Sequence, residues 1–320
     1  MSKRKKISIL SLLVFLILFS IPHDLCSLSG GGISGVLQRV NLDARFMSLG
    51  SAFDSLSYDA SGVYYNPAGL AFLPDMMLLA SYMPVWDNLT HLFFVGTGFK
   101  TKYFPMGVGL ISVDTSGIKV RRDSPVVTDL MEYGEVALFC SGAYEVITSF
   151  SVGLRLGFHN LNIYHYNDWG IGADLSLLWH VRNPYEFTKS KLMRFLQPFS
   201  LGIVLYNILP PSVKLYQKSV SYPLMMKSSL SYQFRTIGNF LRPELGVGFQ
   251  SIFENKATDF STGLELTFWN FFYVRGGYSV VDGMFSIGSG IEMMNIIVDY
   301  GLLPLKAGLK FYTLNLKVKF

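Results

Sequence analysis

The chain has 320 residues, of which 50% are hydrophobic and 15% aromatic, yet only 15% carry a charge. Soluble domains carry about 25% charged residues, so this chain has too few to cover a water-facing surface of its size. Its net charge of +5 is modest and scattered, which argues against nucleic acid as a partner.

Lys3, Arg4, Lys5 and Lys6 precede a largely apolar run over 7–21, followed by Pro22. A basic stretch before an apolar run too short to span a bilayer comfortably reads as a secretory signal, placed here at 1–29. Acylation of Cys26 is the lesser reading, because a small residue should precede it and Leu25 stands there. Cleavage near 26–30 removes Cys26 or leaves it at the extreme terminus, so Cys140 has no partner for a disulfide. A helical membrane protein needs apolar runs of about 18 residues or more, and none follows residue 30.

The segment 30–75 comes next. Gly30, Gly32 and Gly35 satisfy a dinucleotide-loop spacing, but a signal rather than a strand precedes them, so a Gly-rich lead-in is the better reading. Residues 44–56 are small and weakly amphipathic and suit one or two short helical turns. Asp59 and Ser61 are good capping residues for the next turn. Pro67 disfavours the helical region for Asn66, and Gly69 permits an unusual backbone angle, so 66–69 reads as a tight turn.

From Met76 onward the period is two. Val152, Leu154, Leu156 and Phe158 alternate with Ser151, Gly153, Arg155 and Gly157, and the same alternation recurs down the chain. One sheet face is apolar; the other is mostly Gly and Ser with an occasional charge. That combination suits a barrel with lipid outside and a crowded or wet interior. About fourteen strands are expected, over 76–86, 90–100, 103–114, 133–143, 149–160, 168–179, 198–207, 227–235, 244–253, 259–269, 271–280, 284–293, 296–302 and 309–320. The fold class is thus an all-β transmembrane antiparallel barrel occupying 76–320, with 30–75 as a plug in its lumen. Closure is required, because an open sheet edge leaves backbone groups unpaired in lipid.

An even strand count puts both ends of the barrel on one side, expected to be the periplasm of a diderm bacterium. Short turns at 144–148, 270 and 294–295 then face inward, and long loops at 115–132 and 208–226 face outward. The connection 180–197 is long yet inward, and its mixture of aromatic, aliphatic and basic residues suits a short amphipathic helix. Tyr312, Leu314, Leu316, Val318 and Phe320 alternate with polar residues to the last position. A final strand with a terminal aromatic resembles the recognition signal of the barrel-assembly machinery, a partner expected at Phe320.

Chemistry is sparse. The histidines form no metal-ligand spacing, no nucleophile elbow occurs, and neither a metal nor a cofactor is expected. His165 with Asp168 at an outward rim is the only pair resembling those of barrel hydrolases, and solvated loop residues are the plainer reading, so no enzyme is expected. Arg155, Asp174, Arg235, Glu244, Glu265, Arg275, Glu292, Asp299, Lys317 and Lys319 all fall on the polar, inward face. Both signs occur, so pairing with each other or with the plug is favoured over a solute-selecting lining. Lys119, Arg121 and Arg122, set among Ile118, Val120, Val126, Val127 and Leu130, suit capture of an amphiphile with an anionic head.

The stretch 58–71, which ends Asp-Ala-Ser-Gly-Val-Tyr-Tyr-Asn-Pro-Ala-Gly-Leu-Ala and is preceded by Ala-Arg-Phe-Met-Ser-Leu-Gly-Ser-Ala-Phe, resembles the N-terminal hatch of FadL-type long-chain fatty-acid transporters. It is still more similar to their PorV/PorQ-like relatives and a spirochaete group. Val298-Asp299-Tyr300-Gly301-Leu302 extends the resemblance to the end of the chain. The resemblance implies a 14-stranded outer-membrane barrel whose hatch gates passive uptake of fatty acids or related lipids, with Asn66, Pro67, Ala68 and Gly69 as hatch or gate residues. It equally implies an alternative: a PorV-like barrel serving as a partner-binding component of a secretion or surface-attachment system.

Overall fold

The computed structural model describes residues 41–85, 89–121, 127–181, 196–215, 218–254, 257–280, 283–304 and 310–320. The expected signal at 1–29 and the amphipathic helix within 180–197 lie, wholly or for the most part, outside them.

Fourteen antiparallel strands close into a barrel. They are β1 (Met77–Val85), β2 (Thr90–Lys100), β3 (Pro105–Val120), β4 (Asp129–Ile147), β5 (Phe150–Ile163), β6 (Tyr166–Trp179), β7 (Phe199–Leu209), β10 (Met225–Gln233), β11 (Leu241–Ile252), β12 (Ala257–Phe268), β13 (Phe272–Ser279), β14 (Met284–Met293), β15 (Ile296–Pro304) and β16 (Lys310–Lys319). Between β7 and β10 the chain makes a separate hairpin of β8 (Ser212–Leu215) and β9 (Lys218–Ser221). Closure is made by β1 on β16, with Met77 opposite Lys319 and the Phe320 amide donating to the Met76 carbonyl at 3.0 Å. Both ends of the barrel chain therefore meet at one rim, here called the terminal end; the opposite rim is the far end.

Alternation sorts the side chains as the pleat requires. Leu138, Leu154, Leu156, Phe260, Leu264, Ile287, Leu314 and Leu316 point outward and are exposed. Their neighbours Phe139, Arg155, Ser261, Glu265, Ser286 and Asn315 point inward and are buried. An apolar band of this kind is stable only against lipid. Aromatic residues mark its two edges: Trp269 with Phe240 and Phe271 at the terminal end, Trp169 and the Tyr278–Phe285 pair at the far end.

Two differences from the alternation pattern have local causes. Strands β3 and β4 run well into the expected loop 115–132, because a bulge between Thr115 and Ile118 carries the ladder on to Val120 opposite Asp129. Gly117 there has φ of +73°, a conformation that favours glycine. The hairpin β8–β9 lies within the loop 208–226, and strands of four residues each are too short to stand out as an alternating run.

Residues 42–73 fold inside the barrel and are almost wholly buried. They form one short helix, α1 (Ala44–Ser48), and three 3-10 turns at Asp54–Leu56, Ala60–Val63 and Pro67–Phe72. Side chains start three of these four pieces. Asp43 Oδ1 accepts the Arg45 amide at 2.7 Å, Asp59 Oδ1 accepts the Ser61 amide at 2.8 Å, and Asn66 Oδ1 accepts the Ala68 amide at 3.2 Å. So short a chain with no sheet of its own depends on the barrel wall for its remaining partners.

Candidate functional site

The lumen has three levels along the barrel axis: an ionic cluster at the terminal end, the folded segment 42–73 across the middle, and an apolar cavity toward the far end.

The middle segment is gripped by nearly every strand. Ser141 Oγ donates to the Val63 carbonyl at 3.0 Å, Ser151 Oγ to the Ala68 carbonyl at 2.8 Å, and Tyr206 Oη to the Tyr65 carbonyl at 2.8 Å. The Ala68 amide donates to Ser176 Oγ at 2.9 Å, and the Gly50 amide to Ser286 Oγ at 3.2 Å. Inward glycines let its backbone lie directly on the strands. A Cβ at Gly153 would meet Ala68 N at 2.2 Å, and one at Gly277 would meet Gly50 N at 2.2 Å. The frequent Gly on the inward face therefore makes room for this segment.

Asn66, Pro67, Ala68 and Gly69 form the first turn of the last 3-10 piece, where the Gly69 amide donates to the Asn66 carbonyl at 2.9 Å. All four are buried, and Asn66 Nδ2 also reaches the carbonyls of Asp54 at 3.1 Å and of Leu177 in β6 at 3.4 Å. Gly69 is not among the residues of positive φ. Its glycine is required by close approach instead, since a Cβ would fall 1.7 Å from the Ser57 carbonyl oxygen. Asn66→Ala removes both the cap and two cross-links, and a loss of about 1–3 kcal/mol is expected in equilibrium unfolding from lipid vesicles.

The ionic cluster joins α1 to the wall. Arg45 donates to both oxygens of Glu265, Nε to Oε2 and Nη2 to Oε1, each at 2.9 Å. Arg275 bridges Glu265 at 2.7 Å and Asp299 at 2.6 Å. Lys317 Nζ lies 2.7 Å from Asp59 and 3.2 Å from Asp43. Glu292 pairs with Lys319 and accepts the Tyr273 hydroxyl at 2.6 Å. On the opposite side Arg155, fully buried, pairs with Asp174 at 2.6 Å and donates to the Tyr64 carbonyl. Of the ten charges assigned to the lumen, nine face inward. Arg235 does not: β10 ends at Gln233, so the chain has left the sheet before it, and Arg235 is exposed in the connection at the terminal end.

The basic trio is divided. Ile118 faces the lumen, and the bulge puts Lys119 on the opposite face, exposed. Arg121 is exposed just beyond β3, and Arg122 lies outside the described residues. The His165 ring lies tilted against that of Tyr164, centroids 3.7 Å apart, while Asp168 Oδ2 accepts the Lys214 amide at 2.5 Å, so the partners found for these two residues are not each other.

The far-end cavity has a volume of about 480 Å³. Strands β1 to β5 and β16 line it, with Met83, Val85, Leu92, Val113, Ile118, Met131, Tyr133, Ile163 and Phe311. The hydroxyls of Thr90 and Thr115 bond each other at 2.8 Å, which leaves one O–H donor between them. A second cavity of about 180 Å³ shares Met83 and Phe311 and continues toward Asn41 and Gly50. No alternation argument singled these residues out. One signal was present: in β1 and β2 both faces are apolar, as in Leu78-Leu79 and Leu92-Phe93-Phe94-Val95, which lipid contact alone does not require.

No protein-family model and no curated protein matches the chain. Solved structures do. The CymD monoaromatic hydrocarbon channel aligns with 12% identity and a TM-score of 0.56, over 87% of this chain and 96% of that one. A Pseudomonas aeruginosa FadL homologue aligns with 11% identity and a TM-score of 0.57, over 88% and 99%. The fold is that of the FadL-type channels. The Pseudomonas putida toluene transporter TodX aligns similarly, with 11% identity and a TM-score of 0.53 over 86% of this chain and 95% of that one. In this FadL-type barrel, the apolar cavity and the segment beneath it are the candidate functional site.

Proposed function

We propose that this chain is an outer-membrane channel for passive uptake of hydrophobic small molecules, with the far-end cavity as its binding site. The observation that carries the reading is an apolar cavity of about 480 Å³ inside the lumen, uncharged among the described residues, above a segment that fills the bore. Cavities of 300–1,000 Å³ suit small-molecule ligands. The structures it resembles are described as channels or transporters of monoaromatic hydrocarbons and toluene and as a FadL homologue, which supports the same class. On this reading the terminal end faces the periplasm and the far end faces outward, so a ligand meets the cavity before the plug.

Val113, 3% exposed on the β3 wall, is the residue to fill. Val113→Trp should abolish saturable uptake of the neutral fluorophore N-phenylnaphthylamine into proteoliposomes, while the heat-dependent mobility shift of the folded barrel is kept. Uptake by the folded variant equal to that of the unaltered chain would sink the proposal.

A further inference from the structure

We infer that the far-end cavity selects uncharged apolar molecules and rejects those that carry a carboxylate. This inference rests on the cavity being a ligand site, and it narrows the ligand's chemistry. Among the described residues the lining holds no acidic or basic side chain. A carboxylate entering it would leave water without a cation or a set of donors to replace its hydration, and burial of an unmatched charge is strongly unfavourable.

The polar groups at the cavity are arranged the wrong way round for an anion. The Thr90 and Thr115 hydroxyls bond each other at 2.8 Å, which leaves a single O–H donor between them, too little to replace the hydration of a carboxylate. Tyr133, the one other lining side chain with a hydroxyl, donates it to Glu135 Oε2 at 2.9 Å. Tyr222 donates to the other oxygen of Glu135 at 2.5 Å. The carboxylate of Glu135 is 1% exposed, one hydrogen bond behind the cavity wall. A lining hydroxyl that would recognise an anionic head is thus committed to an anion already in place.

The nearest cation that the sequence offered for this role and the buried cations of the lumen are turned elsewhere. Lys119 is on the opposite face of β3 from Ile118. Arg155, at the level of the plug, holds Asp174 and the Tyr64 carbonyl. Lys317 holds Asp43 and Asp59 at the terminal end, and Arg45 and Arg275 hold Glu265.

The test uses full-length barrel in a neutral maltoside detergent at pH about 8, where a free carboxylic acid is ionised. Bound N-phenylnaphthylamine is displaced with dodecanol or with dodecanoate, which share a chain and differ in the head. Dodecanol should displace it at about tenfold lower concentration. Glu135→Gln should narrow that gap. Val113→Lys, which puts an ammonium on the wall, should reverse it, giving a second reading that does not depend on Glu135. Equal displacement by the two compounds in the unaltered barrel overturns the inference, as does a Val113→Lys barrel that still prefers the alcohol. If the reporter does not bind at all, the cavity is not a ligand site, and it is the functional reading that falls.

Discussion

Glu265→Ala will weaken the folded barrel by about 3–5 kcal/mol, the usual consequence of removing one member of a buried ion network and stranding its partners. Glu265 is 4% exposed and is the acceptor shared by Arg45 of the plug and Arg275 of the wall. Without it Arg275 keeps Asp299, whereas Arg45 loses the carboxylate that takes both its Nε and its Nη2. The damage should therefore be uneven. Protease cleavage within 42–73 should appear in the variant at denaturant concentrations where the strands still resist. Glu265→Gln keeps the shape and one acceptor oxygen and should fall between the two. Indistinguishable unfolding curves for Glu265→Ala and the parent would show that the cluster does not hold the plug.

The second large effect is steric. Gly153→Val will push the turn 66–69 off the β5 wall. A Cβ at Gly153 stands 2.2 Å from Ala68 N, 2.5 Å from the Pro67 carbonyl carbon and 2.6 Å from Ser176 Oγ. Two of these three atoms are plug backbone, which cannot rotate away as a side-chain tip can, and overpacking of this kind costs about 1–3 kcal/mol or more. The same substitution threatens two seating hydrogen bonds, Ser151 to the Ala68 carbonyl and the Ala68 amide to Ser176. The expected readout is ion conductance in planar bilayers. The parent barrel should be nearly closed, and Gly153→Val should open frequent, large conductances while still shifting in mobility on heating. Valine at Gly276, where an added Cβ meets nothing within 4 Å, should do neither. A closed Gly153→Val barrel would mean that the plug tolerates displacement from β5.

The barrel was legible because its forces are periodic. Leu264, Leu266 and Phe268 interleaved with Gly263, Glu265 and Thr267 need no context to be read as a strand with one lipid face, and β12 spans them. The capped turns at Asp59 and Asn66 were equally local and formed where their caps stand. The charge list was readable to the extent that strand parity holds. It failed at Arg235, two residues past the end of β10; and Lys119, expected in a loop as a capture residue, lies instead in β3, where the bulge at Gly117 reverses parity within one strand. A one-residue bulge leaves little trace in composition, yet it moves every later side chain to the other face. The cavity left only a faint mark, the two apolar faces of β1 and β2. It depends on which inward residues of six strands, from Val85 in β1 to Phe311 in β16, face one another across the lumen, and alternation within a strand carries nothing about that juxtaposition.

An apolar molecule should bind in the lumen between Met83, Val113 and Phe311. A crystal structure of the barrel soaked with a bromine-tagged dodecanol measures this directly, because the anomalous signal locates the ligand independently of its shape. One bromine peak is expected inside the barrel, within van der Waals contact of those three side chains, and it should be lost in Val113→Trp. Bromine found only on the outer, lipid-facing surface, with the cavity holding ordered water, would contradict it.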